Sequence, residues 1–387
     1  MGEKILFHGG RVIGAAQTWA RGWLLADAGR IALLGPGDPP PLEADRTIDC
    51  AGLTLLPGFI DLHAHGAAGH EAMDATPEAL QGMARYYAQH GVTAFCAATW
   101  TDSTERIHAA LSAIGESMGP QGDGATLLGA YLEGPYLNEE RCGAQSTKHI
   151  RRAAREEARA FLDMGVIREV ALAPEFEENH WLIEECVARG ITVTAAHTTA
   201  TYDQTRRAVA LGLTQATHTF NAMTPLHHRE PGTVGAVLTL PEIRAELIAD
   251  GIHVHPAAMQ ILYAAKGPNG VILITDATRG AGMPDGEYQI DERTVFVQDG
   301  AVRLPDGTLA GSTLTMDRAL RNLIDVTGQP LEVVWPCSSL NAAGALNIAH
   351  RKGSLEADKD ADLALVDAAL TVRMTVAEGR IVYEAGS

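Results

Sequence analysis

The sequence predicts an α/β fold, a (β/α)8 barrel of the TIM type with a small β-sandwich domain formed by both termini. Three observations carry this expectation. Apolar, strand-like runs recur through the middle of the chain at 54–60, 92–97, 127–132, 168–173, 191–196, 214–217, 246–249 and 271–275. Helical patterns separate most of them, the alternation that builds a parallel sheet. Short strand-like segments also occupy both ends, at 5–7, 11–13, 23–26 and 31–34 and again at 361–366, 370–374 and 380–384. Neither terminal group is long enough to bury a core alone, so the economical arrangement joins 1–56 with 353–387 and leaves 57–352 for the barrel.

The elements are punctuated accordingly. Thr76 is placed to cap a helix with Pro77 at its first position and Gly91 at its end. A second helix is expected from Ser103, and a third over 149–164. Gly9-Gly10 and the Pro- and Gly-rich stretch 36–41 read as turns. No G-x-G-x-x-G follows the first strand and there is no P-loop, which weighs against a doubly wound nucleotide-binding sheet.

Composition narrows the function classes. At 387 residues the chain accommodates one large barrel plus a small partner. A formal charge of −18 repels phosphates and argues against nucleic acid or an acidic membrane surface as partner. No apolar stretch reaches the ~20 residues of a membrane helix. The opening Met-Gly-Glu-Lys-Ile-Leu-Phe lacks the basic start and long apolar run of a signal peptide. Five cysteines, with no C-x-x-C pair, fit a reducing cytoplasm better than a disulfide framework.

Histidine is the unusual resource, at 15 positions. In a parallel barrel the strand C-termini meet at one mouth, where catalytic groups lie. Just past the expected strands stand Asp61, His63 and His65, then Glu133, His197, His218, Asp250 with His253, and Asp276. Residues two apart on a strand face one way, so His63 and His65 suit a single metal ion. Gly134-Pro135 ends the third strand at once and leaves Glu133 at the rim. Imidazoles and carboxylates together suit zinc or another divalent transition metal. Asp276 is then placed as a base toward water whose pKa a cation lowers to roughly 7. The fourth strand ends in Pro174-Glu175 and offers no lysine, which weighs against a carbamylated-lysine mechanism. Arg229, in the loop after the sixth strand, offers a fork of donors for a phosphate or carboxylate. Cys142 has no assignable activating base and reads as a loop residue, and His227, His228 and His255 read as surface residues.

These segments resemble the amidohydrolase superfamily and, within it, the family of N-acetylglucosamine-6-phosphate deacetylases. The superfamily likeness lies in Pro57-Gly58-Phe59-Ile60-Asp61-Leu62-His63-Ala64-His65-Gly66. The narrower likeness lies in Leu132-Glu133-Gly134-Pro135, Asn221-Ala222-Met223, Arg229-Glu230-Pro231-Gly232, Asp250-Gly251-Ile252-His253 and Leu309-Ala310-Gly311-Ser312. The resemblance implies metal-dependent hydrolysis of the acetamide of N-acetyl-D-glucosamine 6-phosphate, with the galactosamine epimer or another amidohydrolase reaction as the alternative. It implies one or two divalent metals per subunit, zinc first and iron, manganese or cobalt as substitutes. Glu133, His197 and His218 would hold the main ion, and His63 and His65 with Glu133 a second. Asp276 would act as base and then acid, and His253 would orient the sugar and polarise the acetyl carbonyl. Asn221, Ala222 and Arg229 would engage the phosphate, the arginine reaching across a homodimer. Leu309, Ala310 and Gly311 would contact the sugar. Ala144 and Gln145 would also line the substrate site, Gln145 standing where part of the family has histidine.

Overall fold

Gly58 divides the first of the expected strands into two. A computed structural model describes residues 3–291 and 293–386 of the chain. In it Thr54–Pro57 belongs to the terminal domain, and the first barrel strand, β1, is Phe59–Ala64. Run 54–60 is therefore not one strand. A Cβ on Gly58 would lie 2.2 Å from the Thr93 side chain, so the chain crosses between domains at a point where only glycine fits.

The barrel continues through β2 (Val92–Ala98), β3 (Thr126–Glu133), β4 (Ile167–Leu172), β5 (Thr192–Ala195), β6 (Gln215–Ala216), β7 (Arg244–Ile248) and β8 (Val271–Ile274). Each is parallel to the next in chain order. Strands covered on both faces read as continuous apolar runs, and every residue of β2 is buried. The seam between β8 and β1 is closed just past their ends. Asp276 N–H donates to the His63 carbonyl at 2.8 Å, and Ala64 bridges Ala277. The buried Asp61 carboxylate accepts from Thr275 N–H (3.2 Å) and from its hydroxyl, stapling β1 to β8. Asp61 thus faces the seam rather than the mouth.

Helices α1 (Pro77–Gln89), α2 (Thr104–Ser117), α3 (Arg155–Asp163), α4 (Glu177–Ala188), α5 (Tyr202–Leu211), α6 (Gly232–Thr239), α7 (Pro256–Lys266) and α8 (Met316–Thr327) flank the barrel. Thr76 caps α1 by accepting from Ala79 N–H, and Ser103 caps α2 through Arg106 N–H. The third helix is shorter than 149–164, because 149–154 is non-helical and tied by Arg151 to Asp102, His149 and Glu157.

Both termini build the separate β domain. The N-terminal strands Ile5–Ile13, Thr18–Asp27, Arg30–Pro36, Arg46–Asp49 and Thr54–Pro57 join the C-terminal Leu363–Val366, Val372–Ala377 and Arg380–Glu384. They form one hydrogen-bonded sheet, with Arg46–Asp49 branching off the main path at Ile5–Ile13. The long strand Ile5–Ile13 bulges twice, pairing Arg46–Asp49 along its first half and Thr54–Leu55 along its second. Ile5, Phe7, Leu24, Leu55, Leu363 and Val376 form its own core.

One feature was not expected. After β8 the chain inserts a four-stranded antiparallel sheet: Gly286–Ile290, Arg293–Gln298, Ala301–Arg303 and Leu309–Ser312. Its last strand returns to the barrel mouth, where Ser312 N–H donates to the Asp276 carbonyl at 2.8 Å. Among the described residues no helix is long and apolar enough to cross a membrane.

Candidate active site

The expected residues converge at the C-terminal ends of the strands. His63 sits on β1 and His65 one residue beyond it, while Glu133 ends β3. His197, His218 and Asp276 each lie two residues past β5, β6 and β8, with φ of 44°, 31° and 48°. Left-handed backbone at a non-glycine residue costs of order 1 kcal/mol, and such strain concentrates where geometry serves function. Gly311 makes room beside them: a Cβ there would come within 2.8 Å of the Asp276 carbonyl oxygen, and its φ is +69°.

Glu133 stands between two histidine pairs. One carboxylate oxygen lies 3.2 Å from His197 Nε2 and 3.1 Å from His218 Nε2. The other lies 3.1 Å from His65 Nε2 and 3.6 Å from His63 Nε2. Asp276 faces His65 Nε2 at 3.4 Å and His63 Nε2 at 3.7 Å. Within each pair the two Nε2 atoms face one another at 3.2 Å. Burial pushes Glu133 up, but His63, His197 and His218 hold it well below the ordinary carboxylate range. Asp276 is likewise held down by His63 and His65 against burial. Burial lowers His63 and His65, yet Glu133 and Asp276 raise both above the usual imidazole value. The cluster therefore gathers two buried carboxylates and four imidazoles around one point, a donor set that suits a cation.

The donor set fits a divalent metal. Two groups, His63–His65–Glu133 and Glu133–His197–His218, each bring three ligand atoms within 4.8 Å of one another, all buried. Two facing imidazole nitrogens can share at most one proton, and carboxylates only accept, so a positive ion satisfies what hydrogen bonds leave open. Aromatic neighbours fix the rings: His65 stacks on Trp100 at 3.9 Å and His63 on Tyr131 at 4.3 Å.

Beside this cluster a cavity of about 370 Å³ is lined by Trp100, Gln145, Asn221, His253, Arg303 and Leu309, among others, an ordinary size for a small-molecule site. Ala144, Ala222 and Gly311 also line it. Asp250 accepts from His253 Nδ1 at 2.6 Å and from its backbone N–H at 2.8 Å, which fixes that ring. Burial pushes the Asp250 carboxyl up, and His253 pulls it net below its usual value. A larger groove of about 810 Å³ lies at the opposite face, near the starts of β3, β4 and β5 and beside Lys352, away from every metal-suited group.

Of the expected residues, Gln145 and Arg229 are held by neighbours, and Ala310 turns away from the cavity. Gln145 lines the cavity, and its amide donates to Glu133 at 2.6 Å while its oxygen accepts from Thr101 N–H at 2.8 Å, so it braces the carboxylate. Ala310 does not line the cavity and is buried in a small core with Trp100 and Val297. Arg229 is exposed, donates to His228 Nε2 at 2.7 Å and lies outside the cavity wall of its own subunit. Glu175 ties the loops behind the mouth, accepting from Asn138 Nδ2 and Thr199 N–H. Residue-by-residue reading missed Trp100, Arg303 and Glu246. Arg303 ends a short strand and pairs with Leu309, which brings it to the cavity wall.

Comparisons with known proteins agree with this geometry. The model of the family described as "Amidohydrolase family" matches residues 54–382. An N-acetylglucosamine-6-phosphate deacetylase of Vibrio furnissii is 42% identical over 335 residues, spanning 86% of this chain and 84% of that protein. An N-acetylgalactosamine-6-phosphate deacetylase of Escherichia coli O157:H7 is 39% identical over 369 residues, 93% of this chain and 96% of that one. A solved structure of a Mycobacterium smegmatis N-acetyl-D-glucosamine-6-phosphate deacetylase variant, in complex with N-acetyl-D-glucosamine-6-phosphate, superposes with a TM-score of 0.91 at 33% identity, covering 98% of this chain and 100% of that chain.

Proposed function

This chain belongs to the amidohydrolase family, and we propose that it hydrolyses the acetamide of N-acetyl-D-glucosamine 6-phosphate to D-glucosamine 6-phosphate and acetate. The observation that carries this proposal is the buried cluster of Glu133, His197, His218, His63 and His65 with Asp276 at its edge, beside a cavity of sugar size.

Glu133, His197 and His218 would hold the main metal, and His63 and His65 with Glu133 a second, zinc being the ion this nitrogen and oxygen set suits best. When bound, the ion polarises the acetamide oxygen and lowers the pKa of the attacking water. Asp276 accepts the proton from that water and returns it to the leaving amine, a role favoured by an ionised carboxylate at the site edge. His253 is held by Asp250 with its ring at the cavity wall and, in its doubly protonated form, would direct Nε2–H at the acetyl oxygen and stabilise the charge that develops there. Asn221 and Ala222 line the cavity and would engage the phosphate. Arg303 is the arginine on the cavity wall of a single subunit and would face the phosphate. Arg229, exposed and outside that wall, would reach the phosphate of a partner subunit in a homodimer. Five unpaired cysteines suit a cytoplasmic enzyme.

The experiment is acetate release from N-acetylglucosamine 6-phosphate by the purified protein. The galactosamine epimer is the second substrate to compare, because a relative of 39% identity carries that name. A higher kcat/KM for the glucosamine sugar is expected; preference for the epimer, or release from neither, overturns the assignment.

A further inference from the structure

The two histidine pairs differ in how their rings are anchored. In the His197–His218 pair, His197 Nδ1 meets the Arg141 carbonyl at 2.8 Å, and His218 Nδ1 has no partner. In the His63–His65 pair, His65 Nδ1 has none, and His63 Nδ1 meets the fully buried Glu246 carboxylate at 3.4 Å. Each pair thus has one ring whose Nδ1 is fixed by a hydrogen bond and one whose Nδ1 has no partner. Only the second pair is fixed by a carboxylate.

Glu246 lies on β7 and points into the barrel beneath the mouth. Its carboxylate accepts from Gln215 Nε2 at 2.6 Å and from the Tyr131 hydroxyl at 3.3 Å. Tyr131 also forms the platform on which the His63 ring stacks, at 4.3 Å and 25°. Gln215 is held in turn by Glu169 at 2.8 Å. The carboxylate is therefore itself immobilised, and with Tyr131 it restrains both the rotation and the tautomer of His63. Placing the proton on Nδ1 leaves the lone pair on Nε2, which faces His65, Glu133 and Asp276. A carboxylate behind a metal-ligating imidazole also makes that ring a stronger donor.

We propose that Glu246 is a positioning residue for His63, and that through it Glu246 decides whether the His63–His65 half of the site takes up a second divalent ion. The proposal rests on the metal-dependent reading above. It assigns to Glu246 no contact with substrate.

The test loads metal-free protein with cobalt(II) and follows stoichiometry and visible absorbance, with no substrate present. Wild type is expected to take up two ions per subunit. Glu246→Gln is expected to keep the ion at Glu133–His197–His218 and to bind the other 10- to 100-fold more weakly, the usual effect of losing such a partner. Glu246→Asp should recover part of the difference. A merely structural role would lower thermal stability without separating the two binding events. Should Glu246→Gln fail to fold, zinc-loaded wild type should still show a slowly exchanging low-field N–H proton at His63 Nδ1. Two equal ions in Glu246→Gln, one ion in wild type, or no such proton overturns the proposal. Cobalt uptake as expected, without acetate release from the sugar, overturns the deacetylase assignment instead.

Discussion

Two clusters of buried charge sit at opposite faces of the barrel, and they are built on opposite plans. At the lower face Lys352, 1% exposed, places Nζ 2.9 Å from Asp362, 2.9 Å from Glu378 and 3.0 Å from Asp360, with Arg351 on Asp360 at 2.7 Å. This cluster carries its own cations and ties the last barrel segment to the terminal β domain. At the mouth Glu133 and Asp276 face four imidazoles, whose Nε2 atoms face one another in pairs at 3.2 Å. That cluster must take its cation from outside. Burial of charge alone thus does not mark a functional site; a buried set of carboxylates and imidazoles with no lysine or arginine among them does.

The contrast breaks most sharply at Asp276. Asp276→Asn is expected to keep its metal content and lose roughly 10²- to 10⁴-fold in kcat, as for removal of a general acid–base. Steady-state kinetics with metal analysis checks this, and near-normal turnover would remove Asp276 from the chemistry. At the opposite face, Lys352→Met leaves buried carboxylates unpaired and is expected to destabilise by about 3–5 kcal/mol. Denaturant unfolding measures it, and kcat per folded, metal-loaded subunit should not change.

Arg303→Ala probes the rim between these extremes. A lost charge-assisted hydrogen bond of about 1.5–3 kcal/mol corresponds to a KM for the phosphorylated sugar higher by roughly 10- to 100-fold, with little change in kcat. An unchanged KM would leave phosphate recognition to Arg229.

The smallest effect is in pH. Burial lowers Lys352, but Asp362, Glu378 and Asp360 hold it above its ordinary value. Its contribution is present at neutral pH and lost only as pH rises through that elevated value. Burial raises Asp360, but Lys352 and Arg351 hold it below the carboxylate range, so its contribution is lost as pH falls through the lowered value. Burial holds Asp362 above its ordinary value even beside Lys352 and raises it further in Lys352→Met, so the Tm difference between wild type and the variant is expected to stay level between about pH 7 and 9 and to shrink as pH falls below that window. A difference that varies inside that window would contradict this pairing.

Much of the mouth was legible from sequence, for a physical reason. Parallel strands carry their catalytic groups just past their C-terminal ends, so apolar runs followed by His197, His218 or Asp276 announced themselves. Helix caps at Thr76 and Ser103 were local and equally readable. What escaped depends on tertiary partners. Glu246 opened an apolar run and looked like the first residue of a strand, whereas it is an inward-facing polar residue beneath the mouth. Gln145 is placed at the substrate site only by resemblance, and its hydrogen bond to Glu133 depends on a tertiary approach. The break at Gly58 follows from the closeness of Thr93, thirty-five positions on in sequence. The antiparallel insert 286–312 has exposed, alternating strands with short turns, a weak signal beside the apolar barrel runs.

The claim that the mouth is incomplete without a metal is tested most directly by turnover of N-acetylglucosamine 6-phosphate after chelation and after metal is added back. Activity that vanishes with the metal and returns with zinc or cobalt is expected, with the fold intact throughout by circular dichroism. Full turnover by protein shown to be metal-free would contradict the account.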